Sequence, residues 1–136
     1  MDPSAGQELK LDGEISKLPQ FLLQVSSSAD ELTTEVWILA MRHVDDVKSF
    51  ALSKEYICLS LYENNGRRVH FSQDSSIIFD GFHRRYDPSR YFLAKCKNLK
   101  TDVKYTVVIL HRSVRNAQCF LSCYSEGTVS LKQLSP

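Results

Sequence analysis

The residues of this chain best suited to covalent chemistry are its four cysteines, Cys58, Cys96, Cys119 and Cys123. A nucleophilic thiol needs a base beside it and an electropositive or helix-terminal setting that stabilises the thiolate. All four instead fall in runs that predict β-strands, where alternation with leucine, as in residues 57–61, is typical of core packing. No two have the CxxC spacing of a zinc or redox site, so we expect four reduced, partly buried thiols.

The histidines and the known catalytic motifs give no better candidate for a reactive site. His43, His70, His83 and His111 are far apart and form no HxH or HxxxH pattern. The sequence contains no GxSxG motif, no phosphate-binding glycine loop and no dinucleotide fingerprint. We therefore predict that the chain is not an enzyme, with no catalytic residue and no cofactor.

A calcium site is the one metal centre that the sequence leaves open. Loops at one end of a β-sandwich can gather the six to eight oxygen ligands that this ion prefers. Acidic residues occur in three predicted loops, and they converge only if those loops meet; otherwise they are isolated solvated acids. The calcium candidates are Asp30, Glu31, Asp45, Asp46, Asp74 and Asp80.

The basic residues are unevenly distributed although the formal net charge is only +1. They concentrate between residues 84 and 104, and two more follow a predicted turn. They are either solvated side chains at outward-facing positions or a surface patch that binds an acidic partner. Near-neutral charge and the absence of an RNA-binding motif argue against nucleic acid. The candidate patch comprises Arg67, Arg68, Arg84, Arg85, Arg90, Lys95, Lys97, Lys100 and Lys104.

The elements that must position these residues are predicted to be short strands. Period-two patterns bounded by turn residues, with few helical signals, are typical of an all-β fold. We predict an eight-stranded antiparallel β-sandwich. The predicted strands are 21–25, 35–42, 56–62, 67–71, 91–99, 105–112, 119–125 and 129–134.

Three segments of the chain carry specific expectations. Residues 55–71 are predicted to form a hairpin around Asn64-Asn65-Gly66, with Ile57, Leu59 and Leu61 facing the core. Residues 35–42 are apolar on both faces, which predicts a central strand covered on both sides. Residues 72–88 lack a clear period and predict a long loop packed by its own aromatic side chains.

The chain is predicted to contain one domain, residues 17–136, after a flexible lead-in of residues 1–16. The lead-in lacks the basic start and apolar stretch of a secretory signal, and no run approaches the roughly 20 apolar residues of a membrane span. We therefore expect a cytoplasmic location, with membrane association possible through the basic patch.

Five segments, in this order and spacing, resemble the C2-like β-sandwich of the calpain proteases, the domain III type. The resemblance is nearest to the atypical calpain-7 type and covers about residues 18–134. The segments are VWILAMRH (36–43), EYICLSLYENNGRRV (55–69), YDPSRYFLAKCKNL (86–99), YTVVILHR (105–112) and CFLSCYS (119–125).

The resemblance implies a non-catalytic module. In calpains the Cys, His and Asn triad lies in a separate protease core, and no motif of that core is present here. Such sandwiches position the core, contact partner proteins and, in conventional calpains, contribute to calcium and phospholipid responses. Conventional calpains carry a run of acidic residues in one loop of this domain, and this sequence has only scattered acidic pairs. The DxDxDG motif of EF-hand calcium loops is absent as well. We expect a regulatory or protein-interaction module, either part of a calpain-type protease or a stand-alone relative, and alternatively a module that binds acidic phospholipid through residues 84–104.

Overall fold

The computed structural model describes residues 15–26, 32–42, 56–84, 89–112, 119–125 and 127–135. These ranges contain eight β-strands and two short 3-10 turns, Ile15–Lys17 and Phe82–Arg84. No helix within them is long and apolar enough to cross a membrane. The strands are β1 (Gln20–Ser26), β2 (Thr33–Arg42), β3 (Tyr56–Tyr62), β4 (Ile77–Phe79), β5 (Tyr91–Lys100), β6 (Lys104–Arg112), β7 (Cys119–Ser125) and β8 (Thr128–Gln133).

The strands form two antiparallel sheets that pack face to face, which confirms the predicted eight-stranded all-β sandwich. The five-stranded sheet has the order β4-β3-β6-β1-β8, and the three-stranded sheet has the order β5-β2-β7. Alternate residues of both sheets, including Leu23, Ile38, Leu59 and Val107, are fully buried between them. This apolar layer is the main driving force for folding, because it removes the inner face of every long strand from water.

A second, smaller core covers the outer face of the five-stranded sheet. Its strand residues alternate with those of the main core, so that Cys58 and Tyr62 of β3 point outward beside Val108 of β6. The cover comes from residues before and between the strands, namely Ile15, Val69 and Phe82. Strands β3 and β6 are therefore buried on both faces, as their near-continuous apolar sequences require.

The predicted hairpin of residues 55–71 is only half correct. Its first strand is β3, with Ile57, Leu59 and Leu61 in the main core as expected. Residues 67–71 are not a strand, and the partners of β3 are β6 and the three-residue β4. Strand β4 lies within residues 72–88, which the sequence predicted to be a loop.

The side chain of Gln20 explains why residues 67–71 do not join the sheet. Gln20 is fully buried; its Nε2 donates to the Val69 carbonyl at 2.8 Å, and its Oε1 accepts from the Val69 amide at 2.7 Å. The Arg67 carbonyl accepts from the side chains of Asn64 and Thr106. The Arg67 carbonyl and both backbone groups of Val69 are thus paired with side chains instead of a neighbouring strand.

Two further expectations need correction. Strand β2 is central in its sheet, but the described residues cover only one of its faces, since Trp37 and Met41 are 42% and 45% exposed. Ile15 falls in the predicted lead-in, yet it is fully buried in the second core and its carbonyl accepts a bond from Gln20. The packed domain thus extends at least to Ile15.

Gly81 is required by a close approach of two backbones. A Cβ atom at this position would lie 2.0 Å from the carbonyl oxygen of Leu59 and 2.8 Å from the ring of Phe92. We expect Gly81→Ala to lower the free energy of unfolding by about 1–3 kcal/mol, because the backbone of β3 has to shift to admit a methyl group. Urea denaturation measures this loss. Ser75→Ala, at an exposed site nearby, is the control and should change stability by less than about 0.5 kcal/mol.

Candidate interaction surface

Side chains that point away from the core on β2, β5 and β7 form a continuous apolar surface. Strand pairing places Leu39 of β2 between Leu93 of β5 and Ser122 of β7. Neighbouring rows place Trp37 beside Tyr124, and Met41 between Tyr91 and Phe120. We call this surface the outer apolar face, and it comprises Trp37, Leu39, Met41, Tyr91, Leu93, Phe120 and Tyr124.

The outer apolar face is exposed to an unusual degree for side chains of this size. Tyr91, Phe120 and Tyr124 are each more than half exposed, and Leu93 is 38% exposed. Single exposed apolar residues are normal on protein surfaces, whereas contiguous large ones mark contact sites. Nothing within the described ranges covers this surface, because the second core lies on the other sheet.

Polar contacts hold the largest ring of this face in place. The Trp37 Nε1 atom donates to Glu35 Oε1 at 2.7 Å, and the Lys95 Nζ atom lies 4.8 Å from the centroid of the indole ring. A cation at this distance interacts favourably with the ring. The indole is therefore pre-oriented, which lowers the entropic cost of burying it against a partner.

The predicted basic patch is distributed over two opposite faces of the sandwich. Lys95 and Lys97 alternate with the buried Ala94 and Cys96, so they point outward from the three-stranded sheet. Lys104 lies on the outer side of the five-stranded sheet, where its Cβ is close to Gly66. These lysines therefore cannot contact the same flat partner at once.

The remaining basic candidates differ in their surroundings. Arg67 is exposed on the segment that covers the five-stranded sheet, and Arg68 there donates to the Leu18 carbonyl at 3.4 Å. Lys100 forms an ion pair with Glu63 at 3.2 Å. Arg90 is exposed just before β5. The side chain of Arg84 and the whole of Arg85 fall outside the part of the chain that the structure describes.

Two of the six calcium candidates can be placed, and both carboxylates serve local structure. Asp74 Oδ1 accepts from the amide and the hydroxyl of Ser76, and these bonds lower the pKa of Asp74. Asp80 Oδ1 accepts from the amide of Phe82 and from the Ser60 hydroxyl. The two acids lie on either side of β4.

Asp30, Glu31, Asp45 and Asp46 fall outside the described ranges. Within those ranges no group of three or more potential ligands is close enough to hold a metal ion. A calcium site that uses the unplaced acids stays a prediction of the sequence.

The four cysteines are free thiols in strands, as the sequence predicts. Cys58 and Cys96 are buried, Cys123 is half-buried and Cys119 is exposed. Burial raises the pKa of Cys96 to about 11 and that of Cys123 to about 12. Partial desolvation of the exposed Cys119 raises its pKa as well. Burial, with a smaller contribution from Arg42, lowers the pKa of His111. A neutral thiol is the stable form of each of these three cysteines at neutral pH.

These environments predict a strong selectivity in thiol modification. At pH 8 the thiolate fractions of Cys96 and Cys123 lie far below that of a free thiol, since their pKa values are raised well above 9. We expect iodoacetamide to alkylate Cys119 first in the native protein, with Cys96 and Cys123 reacting only after unfolding. Peptide mass spectrometry over time measures the order, and alkylation in urea is the control. Equal alkylation rates of Cys96, Cys119 and Cys123 in the native protein would contradict the burial of Cys96 and Cys123.

The outer apolar face was not predicted from the sequence, although a signal for it exists. Residues 35–42 have apolar side chains on both faces of the strand, a pattern that predicts burial of both faces. The same pattern fits a strand with one face in the core and the other on a contact surface. The alternating pattern of residues 119–125 places Phe120 and Tyr124 on the same contact surface.

Comparison with known proteins supports part of the resemblance. No protein-family model matches the chain. A stretch of 79 residues, 58% of the chain, is 30% identical to calpain-7 of Homo sapiens, Mus musculus and Sus scrofa. The matched stretch spans only 9% of the length of those relatives. Together with the β-sandwich, this similarity supports a calpain-related fold.

Proposed function

We propose that this chain is a non-catalytic regulatory module of the C2-like, domain III type that docks onto the protease core of a calpain-type chain. The core belongs either to the same longer protein or to a separate one. The observation that carries the proposal is the outer apolar face. We also assign the module to the cytoplasm, where its four free thiols fit a reducing environment.

The composition and rigidity of the outer apolar face favour a protein partner. Interfaces gain most of their binding energy from a few large aromatic anchors. Trp37, Phe120 and Tyr124 supply such anchors on a sheet whose backbone is fixed on both sides of β2. The stretch that matches calpain-7 is a small fraction of that protein. A related module therefore has a large neighbouring surface available in the same chain.

The thiols support a role without catalysis. A cysteine protease needs a thiolate formed at neutral pH, and the raised pKa values of Cys96, Cys119 and Cys123 are the opposite of that requirement. We expect the purified chain to leave casein and calpain peptide substrates intact. Cleavage that disappears in Cys119→Ser would overturn the non-catalytic assignment.

Docking can be tested with human calpain-7 from which the stretch matched by this chain has been deleted. Isothermal titration calorimetry should show binding of the wild-type chain, and Phe120→Ser should weaken it about tenfold or more, the usual loss for an aromatic anchor. Phe71→Ser is the matched control, since Phe71 is 65% exposed on the segment that covers the other sheet. The absence of binding, or equal weakening by both variants, would refute docking through the outer apolar face.

Binding to acidic phospholipid is a second candidate, favoured by the exposed Lys95 and Lys97 beside aromatic side chains of the same face. Each basic residue near an anionic membrane surface contributes about 1 kcal/mol to the free energy of membrane binding. Because Arg67 and Lys104 lie on the opposite face, a membrane reaches too few of the placed bases for firm attachment. Sedimentation with phosphatidylserine and phosphoinositide liposomes at low salt separates the candidates. Quantitative pelleting that Lys95→Glu with Lys97→Glu abolishes would favour the lipid.

A further inference from the structure

Within the described ranges, strand β5 leaves one edge of the sandwich open along ten residues. It is the terminal strand of the three-stranded sheet, and β2 is the one described strand that pairs with it. It contains ten residues, whereas β4, the terminal strand of the other sheet on the same side, contains three. An edge of this length presents a row of unpaired backbone groups that another strand can use.

The hydrogen-bond pattern identifies which residues of β5 face the open side. The Arg42 amide donates to the Arg90 carbonyl at 3.0 Å, and the strand register continues this pairing through Ala40 with Phe92 and Ile38 with Ala94. In an antiparallel ladder the intervening residues point their backbone groups the other way. The amides and carbonyls of Tyr91, Leu93 and Lys95 therefore face outward from the edge, and within the described ranges no strand pairs with them.

A groove of about 270 Å³ runs beside this edge, between β5 and β4. Its lining combines apolar side chains, among them Ile78, Phe79 and Leu99, with Lys95, Lys97 and Lys100. Ile78 is 46% exposed. A strand added to β5 would place every second side chain in this groove and the others on the outer face of the sheet.

The charges on this edge select the occupant. Lys95 and Lys97 are exposed, and within the described ranges neither forms an ion pair. Lysines on an open edge disfavour pairing with a second copy of the same edge, because like charges would face each other. The same lysines attract an acidic strand, which also gives the partner its direction and register.

We infer that the β5 edge binds an extended acidic segment of another protein, which joins the three-stranded sheet as a fourth strand. The backbone of Tyr91, Leu93 and Lys95 forms the ladder with the bound segment. Acidic side chains of that segment lie beside Lys95 and Lys97, and alternating apolar side chains enter the groove against Ile78 and Phe79. This site adjoins the docking surface proposed above and shares Tyr91 and Leu93 with it. It uses their backbone groups at the strand edge, whereas docking relies on the aromatic anchors Trp37, Phe120 and Tyr124.

The binding partner can be represented by a synthetic ten-residue peptide in which glutamate alternates with valine. We expect this peptide to bind the full chain in a fluorescence anisotropy titration. A peptide with the same sequence and an N-methyl group on every backbone amide keeps the charge but cannot donate hydrogen bonds to the edge carbonyls of β5, so it should bind at least about tenfold more weakly. A third peptide, with lysine in place of glutamate, should not bind.

Variants of the chain test the two halves of the site. Lys95→Glu with Lys97→Glu should weaken binding of the glutamate peptide about tenfold. Lys104→Glu with Lys132→Glu changes the net charge equally at exposed sites on the other sheet and should leave the affinity within about twofold. Leu93→Pro removes an edge amide that bonds nothing in β2, whereas Leu93→Ala keeps it; only the proline variant should lose binding.

Phe120→Ser separates this site from the proposed docking function, because it should leave peptide binding unchanged. The inference is overturned if the N-methylated peptide binds as tightly as its parent, which would indicate charge attraction alone. It is also overturned if both pairs of lysine variants weaken binding equally, or if no binding occurs at millimolar peptide. Should Leu93→Pro fail to fold, as judged by circular dichroism, the N-methylated peptide still decides the outcome.

Discussion

Leu59→Ala is expected to lower the free energy of unfolding by about 2–5 kcal/mol, because it removes a fully buried side chain from the centre of the main core. Leu59 lies on β3 between Ile57 and Leu61, and all three are completely inaccessible to water. The cavity left by the substitution cannot collapse easily, since neighbouring strands hold β3 on both sides. Urea or thermal denaturation provides the measurement.

Leu32→Ala is the matched control for this substitution. The Leu32 side chain is 82% exposed, so its truncation should change stability by less than about 0.5 kcal/mol. Similar losses for the two variants would mean that the faces of β3 are reversed, with Cys58 and Tyr62 in the main core.

Gln20→Leu is the second substitution expected to cause a large loss of stability, about 2–5 kcal/mol, although it replaces a polar residue with an apolar one of similar size. The side-chain amide of Gln20 pairs with both the amide and the carbonyl of Val69 and with the carbonyl of Ile15. Each backbone group left without a partner in a buried site costs about 1–3 kcal/mol. Burial of the leucine side chain offsets part of this cost.

Gln24→Leu offers a control on the same strand and the same side of the sheet. Gln24 is half-buried, so its replacement should change stability by less than about 1 kcal/mol. Hydrogen exchange gives an independent measurement, since the Val69 amide should exchange faster in Gln20→Leu than in the wild-type chain. Unchanged protection of Val69 would show that its amide is held by another group.

The fold class could be predicted from the sequence because period-two patterns reveal strands wherever one face is buried. The pattern failed at β4, whose three residues are too few to show a period. It also failed at residues 67–71, where alternation is present but the hydrogen bonds go to Gln20, which lies 49 positions away. No local pattern contains the partner of such a long-range side-chain bond.

The candidate surfaces were harder to predict for a related reason. An apolar residue shows that its side chain avoids water, but not which surface covers it. Residues 35–42 therefore indicated that both faces are covered, although no described residue covers the outer one. The bases were identified correctly by type, but only the strand order shows that Lys95 and Lys104 lie on opposite sides of the sandwich.

The position of β1 in its sheet imposes an order on folding. Gln20 of β1 pairs with Val108 of β6, and Phe21 pairs with Gln133 of β8, so both neighbours of this strand come from the last third of the chain. Non-local pairings of this kind slow folding to milliseconds or seconds. During synthesis β1 has to wait without a partner until β6 has been made, and in that interval its apolar residues are free to aggregate or to engage a chaperone.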